Sequence, residues 1–587
     1  MATDDRQEYR FERLTQENSI RVLYLFPGER DDPLSGRLFP TTLEAVSNNL
    51  VSYEALSYEW GSPNKTCPFR LGTGRTIWIT ESLHDALRDL RYDRKSNKLR
   101  AIWADGICIN QGDTQEVEQQ VAIMGEVYRK AVRVVTYTGP ERDGSSMAIE
   151  FARYLFNYAI SRRGENSDPR LHSTDQLEEL GLPPISDPRW PALRTLLLRG
   201  WASRCWCAHE FLLNRNLILM AGRVELHEWN LLPNIVELVF ARRLPIYLLP
   251  GPVVDPYGLA ECLANLNQMR EWIWVDERPF DLGTLLQFSH SFRATNPRDK
   301  VYSILGLAHD RQDFSLRIDY DRPVASLYTK VASRIFYKTQ NLSLLDDVLF
   351  PKSVPELPSW VPDWSTCEYG YAGVAEDEIY SAAGSTFCKI RVHPSENRLE
   401  VAGSLVARLT NISSPILPHY RRTDPVDTPA RQRWLKEQQE FVNQLGSYPT
   451  GEDPTDVLWR TLLGNLTAHH QVAGNNYRAY YDAHFRLGHD SSAKERRSAM
   501  TFIDSVRRKS RSRRLAALSS RHLGAVPLVA REGDYICMFH GARQLFVVRE
   551  AAQRGQFEFV GSAYVHGLMD GEVLDASWYR EEMISLV

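Results

Sequence analysis

Residues 99–139 alternate between strand and helix patterns, and this alternation limits the possible folds more than any other feature. The segment LRAIWADGICINQGD starts with apolar residues and breaks at Gly106, as a buried strand does on entering a loop. A helix is predicted next, because Asp113 and Glu116 are spaced as in a capping box and apolar residues follow at helical intervals. The β-branched segment VRVVTYTG then predicts a second strand. Strand, helix and strand within about forty residues predict a βαβ unit and a parallel sheet.

Further strands on both sides extend this unit. YEALSYEWG, which begins at Tyr53, and the segments RTIWIT and NLILMAG have the apolar and β-branched residues of strands. We therefore predict an α/β domain over residues 50–225, with a parallel sheet flanked by helices and an insertion at about 142–195. Residues 1–49 precede this domain as an N-terminal segment.

Three further regions follow the α/β domain. Residues 226–350 are mostly helical in pattern, and in TNPRDKVYSILGLA we expect Asn296 to cap a helix. Residues 351–427 and 521–587 contain alternating strand patterns separated by glycine turns, which predict a small antiparallel barrel or sandwich. Residues 428–520, between these two segments, are predicted to form a polar helical insertion.

Charge and cysteine content restrict the partners and the compartment. The formal net charge of −4 comes from 70 basic and 74 acidic residues, so no global field favours nucleic acid or an anionic membrane. The basic run 507–514 is interpreted as a solvated helix or loop rather than a nucleic-acid arm. No run approaches the roughly 20 apolar residues needed to span a bilayer. Eight cysteines without a CxxC pair indicate a reducing, cytoplasmic compartment. We therefore expect neither a nucleic-acid nor a membrane partner.

The familiar cofactor and metal signatures are incomplete. The sequence lacks a GxxxxGK[ST] phosphate loop, a GxSxG elbow and a full GxGxxG fingerprint, so no cofactor is expected. His209 and Glu210 begin an HExxH-like phrase, but Leu213 stands where the second histidine is needed. Cys205, Cys207 and His209 supply too few ligands on one helix face. We therefore predict no metal site.

Glu210 is the residue whose position most suggests a chemical role. It lies four residues after Trp206 within RCWCAHEFLL, a segment that reads as a buried helix. On a helix that starts near Arg199, the indole of Trp206 lies one turn from the Glu210 carboxylate, and both can face a cleft. An acid against an aromatic wall has a raised pKa unless a cation or a hydrogen-bond donor compensates. The alternative is a structural salt bridge to Arg199 or Arg204.

Four segments, in this order, resemble the fungal heterokaryon-incompatibility (HET) domain and its downstream region: YEALSYEWG, IWADGICINQGD, RGWASRCWCAHE and NPRDKVYSILGLA. The strap LPSWVPDWS and the C-terminal segment that begins DYICMFHG resemble parts that often accompany this domain. One departure is His209, where the family usually has glutamine. The resemblance implies allorecognition and regulated cell death inside a fungal cell, with an incompatibility partner protein and a homo-oligomer formed through the HET domain.

The HET domain is in turn remotely similar to Toll/interleukin-1-receptor (TIR) domains, several of which cleave NAD+ with a glutamate in a WxxxE phrase. This resemblance implies that Glu210 is a catalytic acid, that Trp206 is its packing partner and that NAD+ is a substrate rather than a cofactor. Nicotinamide leaves NAD+ as a neutral molecule, so one ionised glutamate can stabilise the developing oxocarbenium charge without a second acid. The candidate substrate-binding residues beside it are Trp206, Tyr58, Trp60, Asp105 and Asn110.

Most of these candidates also have a structural interpretation. Tyr58 and Trp60 can stack on a flat nicotinamide or adenine ring, or can pack in the core. Asp105 and Asn110 can bind ribose or can hold their loop in place, and Asn110 also suits a turn. Two functions follow from the resemblance, namely an interaction and assembly module without catalysis, or an NAD+ hydrolase. The assembly module is favoured, because His209 departs from the family pattern and no second catalytic residue stands out.

Overall fold

The computed structural model describes residues 8–161, 177, 181–227, 256–366, 379–416, 429–467, 471–487, 491–510 and 512–587. The chain divides into two compact units, one within Met1–Arg322 and one within Pro323–Thr366 and Gly370–Val587. Much of the insertion predicted at about 142–195 lies outside the described residues. Among the helices that the structure describes, none has the length and apolar character needed to cross a membrane.

A nine-stranded sheet forms the centre of the first unit. Its strands are β1 (Ser19–Leu25), β2 (Ser35–Thr42), β3 (Glu54–Tyr58), β4 (Lys65–Leu71), β5 (Thr76–Thr80), β6 (Arg100–Trp103), β7 (Arg133–Tyr137), β8 (Leu217–Ala221) and β9 (Val224–Leu226). Their spatial order is β5-β4-β2-β1-β6-β3-β7-β8-β9. The four strands β6, β3, β7 and β8 run parallel to one another. The predicted α/β class is confirmed, while antiparallel strands on both sides of this centre make the sheet mixed.

Helices surround the strands of this unit. They are α1 (Leu43–Ser47), α2 (Glu81–Leu90), α3 (Asp105–Cys108), α4 (Thr114–Lys130), α5 (Ser145–Ser161), α6 (Arg189–Leu197), α7 (Cys207–Leu212), α8 (Pro256–Trp274), α9 (Leu282–Phe288) and α10 (Asp299–Leu305). The predicted cap of α4 is confirmed, because the Asp113 side chain accepts hydrogen bonds from the backbone N–H groups of Gln115 and Glu116. The Glu116 carboxylate, however, pairs with the buried Arg21 of β1 and accepts from the backbone of Asn110.

A buried ion network joins the starts of three parallel strands. Glu54 at the start of β3 accepts hydrogen bonds from Arg100 of β6 and Arg133 of β7. The predicted strand–helix–strand unit consists of β6, α4 and β7. Its two strands are not neighbours in the sheet, because β3, which comes earlier in the chain, lies between them. In the parallel register Trp103 at the end of β6 is paired with Ala55, so β3 continues three residues further, to Tyr58, at the same edge of the sheet.

The segment 1–49 contributes two strands to the sheet. β1 pairs antiparallel with β2 on one side and with β6 on the other, so this segment is continuous with the parallel centre. All but one of the seven residues of β1 are buried, as expected for an inner strand.

The helix predicted in TNPRDKVYSILGLA starts later than expected. It is α10, which begins at Asp299, with Arg298 at the N-cap. Asn296 instead forms a turn before the helix, because its Oδ1 accepts a hydrogen bond from the Arg298 backbone N–H at 3.1 Å. The predicted capping residue was therefore two positions too early. Asn turns of this kind often precede a helix without capping it.

The second unit is built around a closed β-barrel. Its strands are β10 (Ile390–His393), β11 (Arg398–Pro415), β12 (Arg513–Leu518), β13 (Leu523–Pro527), β14 (Tyr535–Phe539), β15 (Leu545–Glu550), β16 (Gln556–Val565) and β17 (Glu582–Leu586). Six of them form a ring in the order β11-β12-β13-β16-β15-β14, which the β11–β14 pairing closes. Buried apolar side chains, including Leu409, Val526, Met538 and Val547, pack within the same core cluster. The predicted small antiparallel β domain is confirmed as a barrel.

One helix precedes the barrel strands in the sequence, and four others lie between β11 and β12. They are α11 (Val324–Thr339), α12 (Pro429–Asn443), α13 (Pro454–Leu463), α14 (Asn476–Arg486) and α15 (Ala493–Lys509). Helices α12 to α15 lie within residues 428–520, where a helical insertion was predicted, but strand β12 of the barrel lies within the same bounds. The predicted basic run divides between the end of α15 and β12, where Arg513 donates hydrogen bonds to the carbonyl oxygens of Ala525 and Ser562. Arg511 in this run lies outside the described residues.

The tryptophans of the strap LPSWVPDWS are buried. Trp360 and Trp364 are both 0% exposed. Trp364 packs edge-on against Tyr328 of α11 with ring centroids 4.9 Å apart, and Trp360 packs against Phe336 of the same helix at 5.8 Å. Both indoles of the strap therefore pack on helix α11.

Candidate functional site

The carboxyl ends of β3 and β6 meet helix α7 in a cluster of polar and aromatic side chains. We call this set the β3–α7 cluster, and its members are Ser57, Tyr58, Trp60, Asp105, Trp201, Arg204 and Glu210. In open α/β sheets, ligands bind at the carboxyl ends of the parallel strands. The cluster therefore occupies the position where this fold class places its binding sites.

Glu210 is held inside the cluster by a hydroxyl group. Its side chain is buried, with the residue 3% exposed. Ser57 Oγ donates a hydrogen bond to Glu210 Oε2. The Trp201 indole N–H donates to Ser57 Oγ at 2.6 Å. Because an indole nitrogen is only a donor, the single hydroxyl proton of Ser57 is available for the carboxylate, and the chain runs from Trp201 through Ser57 to Glu210.

Burial dominates the ionisation of this carboxyl group. Burial raises the pKa of Glu210 to about 7, although the charge of Arg204 and the hydrogen bond from Ser57 lower it. The nearby charge of Asp105 raises this pKa further. Glu210 therefore exchanges its proton near neutral pH, the range in which a carboxyl group can serve as an acid or a base.

The salt bridge considered for Glu210 is not formed. Within the part of the chain that the structure describes, no arginine forms a direct ion pair with this carboxylate. Arg204 instead donates to the carbonyl oxygen of Tyr58. Burial lowers the pKa of Arg204, but the charges of Glu210, Cys207 and Asp105 outweigh this effect and the pKa is raised. Arg199 lies elsewhere and donates to the carbonyl oxygens of Gly139 and Arg142.

Asp105 and Trp60 form the more accessible side of the cluster, and both are half-buried. The Trp60 indole N–H donates to Asp105 Oδ2 at 2.9 Å, and the backbone N–H of Gly106 donates to Oδ1 at 2.7 Å. Burial raises the pKa of Asp105, against the charge of Arg204 and these hydrogen bonds. Gly106 has no room for a side chain, because an added Cβ would lie 2.4 Å from the hydroxyl oxygen of Tyr58.

Trp206 lies one helical turn before Glu210, as the spacing predicted, because the Glu210 backbone N–H donates to the Trp206 carbonyl oxygen at 3.4 Å. The predicted stripe from Arg199 is broken, because residues Gly200–Ser203 form a short 3-10 turn and Arg204 is extended. Helix α7 begins only at Cys207. The Trp206 ring packs against His209 with centroids 5.9 Å apart, and its indole hydrogen-bonds Asp299. The tryptophan whose side chain is linked to the Glu210 carboxylate by hydrogen bonds, through Ser57, is Trp201.

Asn110 and Tyr58 have mainly structural contacts. The Asn110 side-chain oxygen accepts from the backbone N–H of Gly112 at 3.2 Å, which forms a turn ahead of α4. Tyr58 is 2% exposed, and burial raises its pKa well above its ordinary value. Of the candidate substrate-binding residues, Trp60 and Asp105 are therefore brought together near Glu210, whereas Asn110 supports its own loop.

His209, next to Glu210, occupies an apolar environment. It is 1% exposed, and neither ring nitrogen has a hydrogen-bond partner among the described residues. Its imidazole lies so close to Gly306 that a Cβ there would be 2.6 Å from Nε2. Burial lowers the pKa of His209 to about 3, so the ring is neutral at physiological pH. Within the described ranges, no three His, Cys, Asp or Glu side chains are grouped to hold a metal ion.

Two members of the cluster were missed by sequence reasoning, namely Ser57 and Trp201. Their contact joins residues 144 positions apart, which no local spacing reveals. Trp201 did stand in the quoted segment RGWASRCWCAHE, and Ser57 in YEALSYEWG. Both segments had been assigned to the same domain, but the pairing between them depends on the strand order.

Comparisons with known proteins agree with this domain organisation. The family model of the heterokaryon incompatibility protein (HET) matches residues 53–210, and that of the Het-6 β-barrel domain matches residues 458–584. Heterokaryon incompatibility protein 6 (OR allele) of Neurospora crassa is 24% identical over 659 aligned positions, which cover 95% of each chain. No solved structure matches the chain. The chain therefore carries a HET domain, which contains the whole β3–α7 cluster, and a Het-6 β-barrel domain in its second unit.

Proposed function

We propose that this protein acts in fungal allorecognition, and that its HET domain triggers regulated cell death mainly by assembling with an incompatibility partner and with further copies of itself. The observation that carries this proposal is the similarity to heterokaryon incompatibility protein 6, which extends over 95% of both chains. Cell death and assembly are the roles that the HET resemblance implies. The proposed compartment is the cytoplasm, and it is supported by the seven described cysteines, all of which are free.

The state of Glu210 supports an assembly role over a catalytic one. Its carboxylate is 3% exposed and is bound by Ser57 within a chain of hydrogen bonds. These bonds join β3 to the segment that contains Trp201 and to α7, so they stabilise the domain itself. An assembly module needs such internal bonds for a fixed surface, whereas a hydrolase also needs access for its substrate.

The test separates cell death from NAD+ consumption. The full chain and the variant Glu210→Gln are expressed in a fungal host, and viability, cellular NAD+ and the oligomeric state by light scattering are measured. For an assembly module, both proteins oligomerise and cause death, and the NAD+ level before death stays constant. Loss of NAD+ that precedes death and disappears in Glu210→Gln would overturn this proposal.

The second candidate function is hydrolysis of NAD+ by the same domain. It is supported by one observation, namely that Glu210 lies at the carboxyl ends of β3 and β6 without a direct arginine partner among the described residues. In this reaction the bond between ribose C1′ and the nicotinamide nitrogen breaks, and water supplies the hydroxyl group at C1′. The products are nicotinamide, ADP-ribose and a proton. Ionised Glu210 would stabilise the positive charge that develops on the ribose, with Trp60 and Asp105 beside the substrate.

Purified full-length protein tests this second function. Nicotinamide release from NAD+ is followed by chromatography for the unmodified chain, for Glu210→Gln and for Glu59→Gln. Glu59 is an exposed carboxylate directly after strand β3. Its replacement controls for a general change of charge. A hydrolase loses activity by at least about 100-fold in Glu210→Gln alone. Equal activity in all three proteins, or none in any, excludes the hydrolase.

A further inference from the structure

Helix α7, which contains Glu210, is too short to be stable without support. It has six residues, Cys207–Leu212. Isolated helices of fewer than about 12 residues are not stable in water, because nucleation costs more than a few hydrogen bonds return. The last four carbonyl groups of any helix also lack partners within that helix. The position of Glu210 must therefore depend on groups outside α7.

Two side chains of α8 bind the carbonyl groups at the end of α7. Arg270 Nη1 donates to the carbonyl oxygens of Phe211 at 2.5 Å and Asn214 at 2.9 Å, and its Nη2 donates to that of Arg215 at 2.9 Å. The Trp274 indole N–H donates to the carbonyl oxygen of Leu212 at 2.9 Å. Four carbonyl groups within residues 211–215 are thus satisfied from one neighbouring helix. We call Arg270 and Trp274 the α8 clamp.

The spacing and the charge of the α8 clamp suit this role. Arg270 and Trp274 are four residues apart, so they lie on one face of α8. The guanidinium lies 5.4 Å from the centroid of the Phe211 ring, and Arg270 is 2% exposed. Burial lowers the pKa of Arg270 to about 10, so it remains a cation at neutral pH. A cation at the carboxyl end of a helix is favoured by the helix dipole.

We propose that Arg270 is a positioning residue for Glu210, which fixes the carboxylate against Ser57 by holding the carboxyl end of α7. Arg270 donates its shortest hydrogen bond to the carbonyl oxygen of Phe211, the residue directly after Glu210. Arg270 lies 60 positions beyond the end of the HET match at residue 210, so the working HET module extends into α8. The inference holds whether Glu210 takes part in assembly or in hydrolysis, and it does not depend on either function.

Hydrogen exchange of the full-length chain tests the proposal. The variants are Arg270→Met and, as a matched control, Arg91→Met. Arg91 is 3% exposed and also donates to backbone carbonyl oxygens, but those belong to residues 29, 30, 32 and 33. In Arg270→Met, we expect amides of residues 207–213 to exchange roughly tenfold faster or more, while Arg91→Met accelerates exchange only near residues 29–33. Equal acceleration at 207–213 in both variants, or none in Arg270→Met, overturns the proposal.

A spectroscopic readout distinguishes positioning from a general loss of stability. The indole N–H resonance of Trp201 reports its bond to Ser57 Oγ and is assigned by its disappearance in Trp201→Phe. Arg270→Met is expected to shift this resonance in the folded protein, and Arg91→Met is expected to leave it in place. Should Arg270→Met fail to fold, Trp274→Phe removes only the donor to Leu212 and is expected to produce a smaller shift of the same resonance. No shift in any clamp variant that folds contradicts the proposal.

Discussion

The Ser57 hydroxyl group donates a hydrogen bond to the Glu210 carboxylate, although the two residues are 153 positions apart in the sequence. The bond joins the end of strand β3 to helix α7, and the indole of Trp201 completes it from the other side. In the sequence Glu210 stands as a lone acid in an apolar helix. In the structure its carboxylate is the final acceptor of hydrogen bonds that run from Trp201 through Ser57. The following predictions test this arrangement and its surroundings.

Replacing Glu210 by Gln is expected to change how stability depends on pH. The folded chain holds the Glu210 proton more tightly than the unfolded chain, because burial raises the pKa from 4.5 to about 7. The unmodified protein therefore loses stability as the pH rises from 4.5 to 7, by about 3 kcal/mol. Glu210→Gln keeps the shape without this proton, so urea unfolding should show it equal in stability at pH 5 and more stable at pH 8. A constant difference between the two proteins at both pH values would contradict the assigned ionisation.

Replacing Ser57 by Ala is expected to raise the pKa of Glu210 further. The substitution removes the donor to the carboxylate and the acceptor of the Trp201 indole, and leaving such buried groups unpaired costs about 1–3 kcal/mol of unfolding free energy. The pKa of Glu210 is obtained from the pH at which the unfolding free energy of the protein begins to differ from that of Glu210→Gln. Trp201→Phe is the control, because it retains the bond from Ser57 to Glu210. A pKa that is the same in Ser57→Ala and the unmodified chain would exclude the hydroxyl as its determinant.

Replacing His209 by Leu is expected to remove part of the sensitivity to acid. The pKa of His209 is lowered from 6.5 to about 3 in the folded chain, so the unfolded chain takes up a proton first. The stability that the neutral ring supports is present above pH 6.5 and is lost as the pH falls towards 3, by up to about 5 kcal/mol. His209→Leu should flatten the unfolding free energy over this range. His227→Leu, at a histidine whose side chain is 65% exposed, controls for the loss of a histidine.

Replacing Gly306 by Ala is expected to destabilise the fold only while His209 is present. The backbone of Gly306 is helical, with φ −70°, so alanine meets no backbone strain, but its Cβ would lie 2.6 Å from His209 Nε2. Overpacking of this kind costs about 1–3 kcal/mol. In a double-mutant cycle with His209→Ala, the cost should vanish. An unchanged cost in the His209→Ala background would mean that the two residues are not in contact.

The order of the elements was predictable from the sequence, because local patterns determine it. Periodic apolar residues gave α4, and Asp113 marked its start, as the hydrogen bonds to its side chain confirm. Most barrel strands were predictable for the same reason, since alternating apolar residues and glycine turns mark them, but β12 lies in residues 428–520, which were expected to be helical. The pattern did not predict β1 and β2 in the sheet, because sheet membership depends on pairing with β6 across the fold.

The site was only partly predictable, because its contacts are not local. Glu210 was recognised as an unusual acid, and two of the residues proposed beside it, Trp60 and Asp105, are hydrogen-bonded to each other. Trp206 was assigned to the carboxylate from its helical spacing, and that spacing is present, but the Trp206 ring packs against His209. The extended backbone at Arg204 removes only the earlier residues, from Arg199 on, from the predicted helix. Only the strand order brings Trp201 to Ser57, and no spacing within RCWCAHEFLL contains that information.

The β11–β14 pairing gives every strand of the barrel ring a hydrogen-bonded neighbour on each side. The nine-stranded sheet, in contrast, has β9 at one end, and among the described residues β9 pairs with β8 alone. A strand donated by another polypeptide can add to the end of an open sheet without displacing a strand, whereas entry into a closed ring would require it to displace a resident strand. Growth of the protein by strand addition would therefore start from the N-terminal sheet and leave the barrel ring intact.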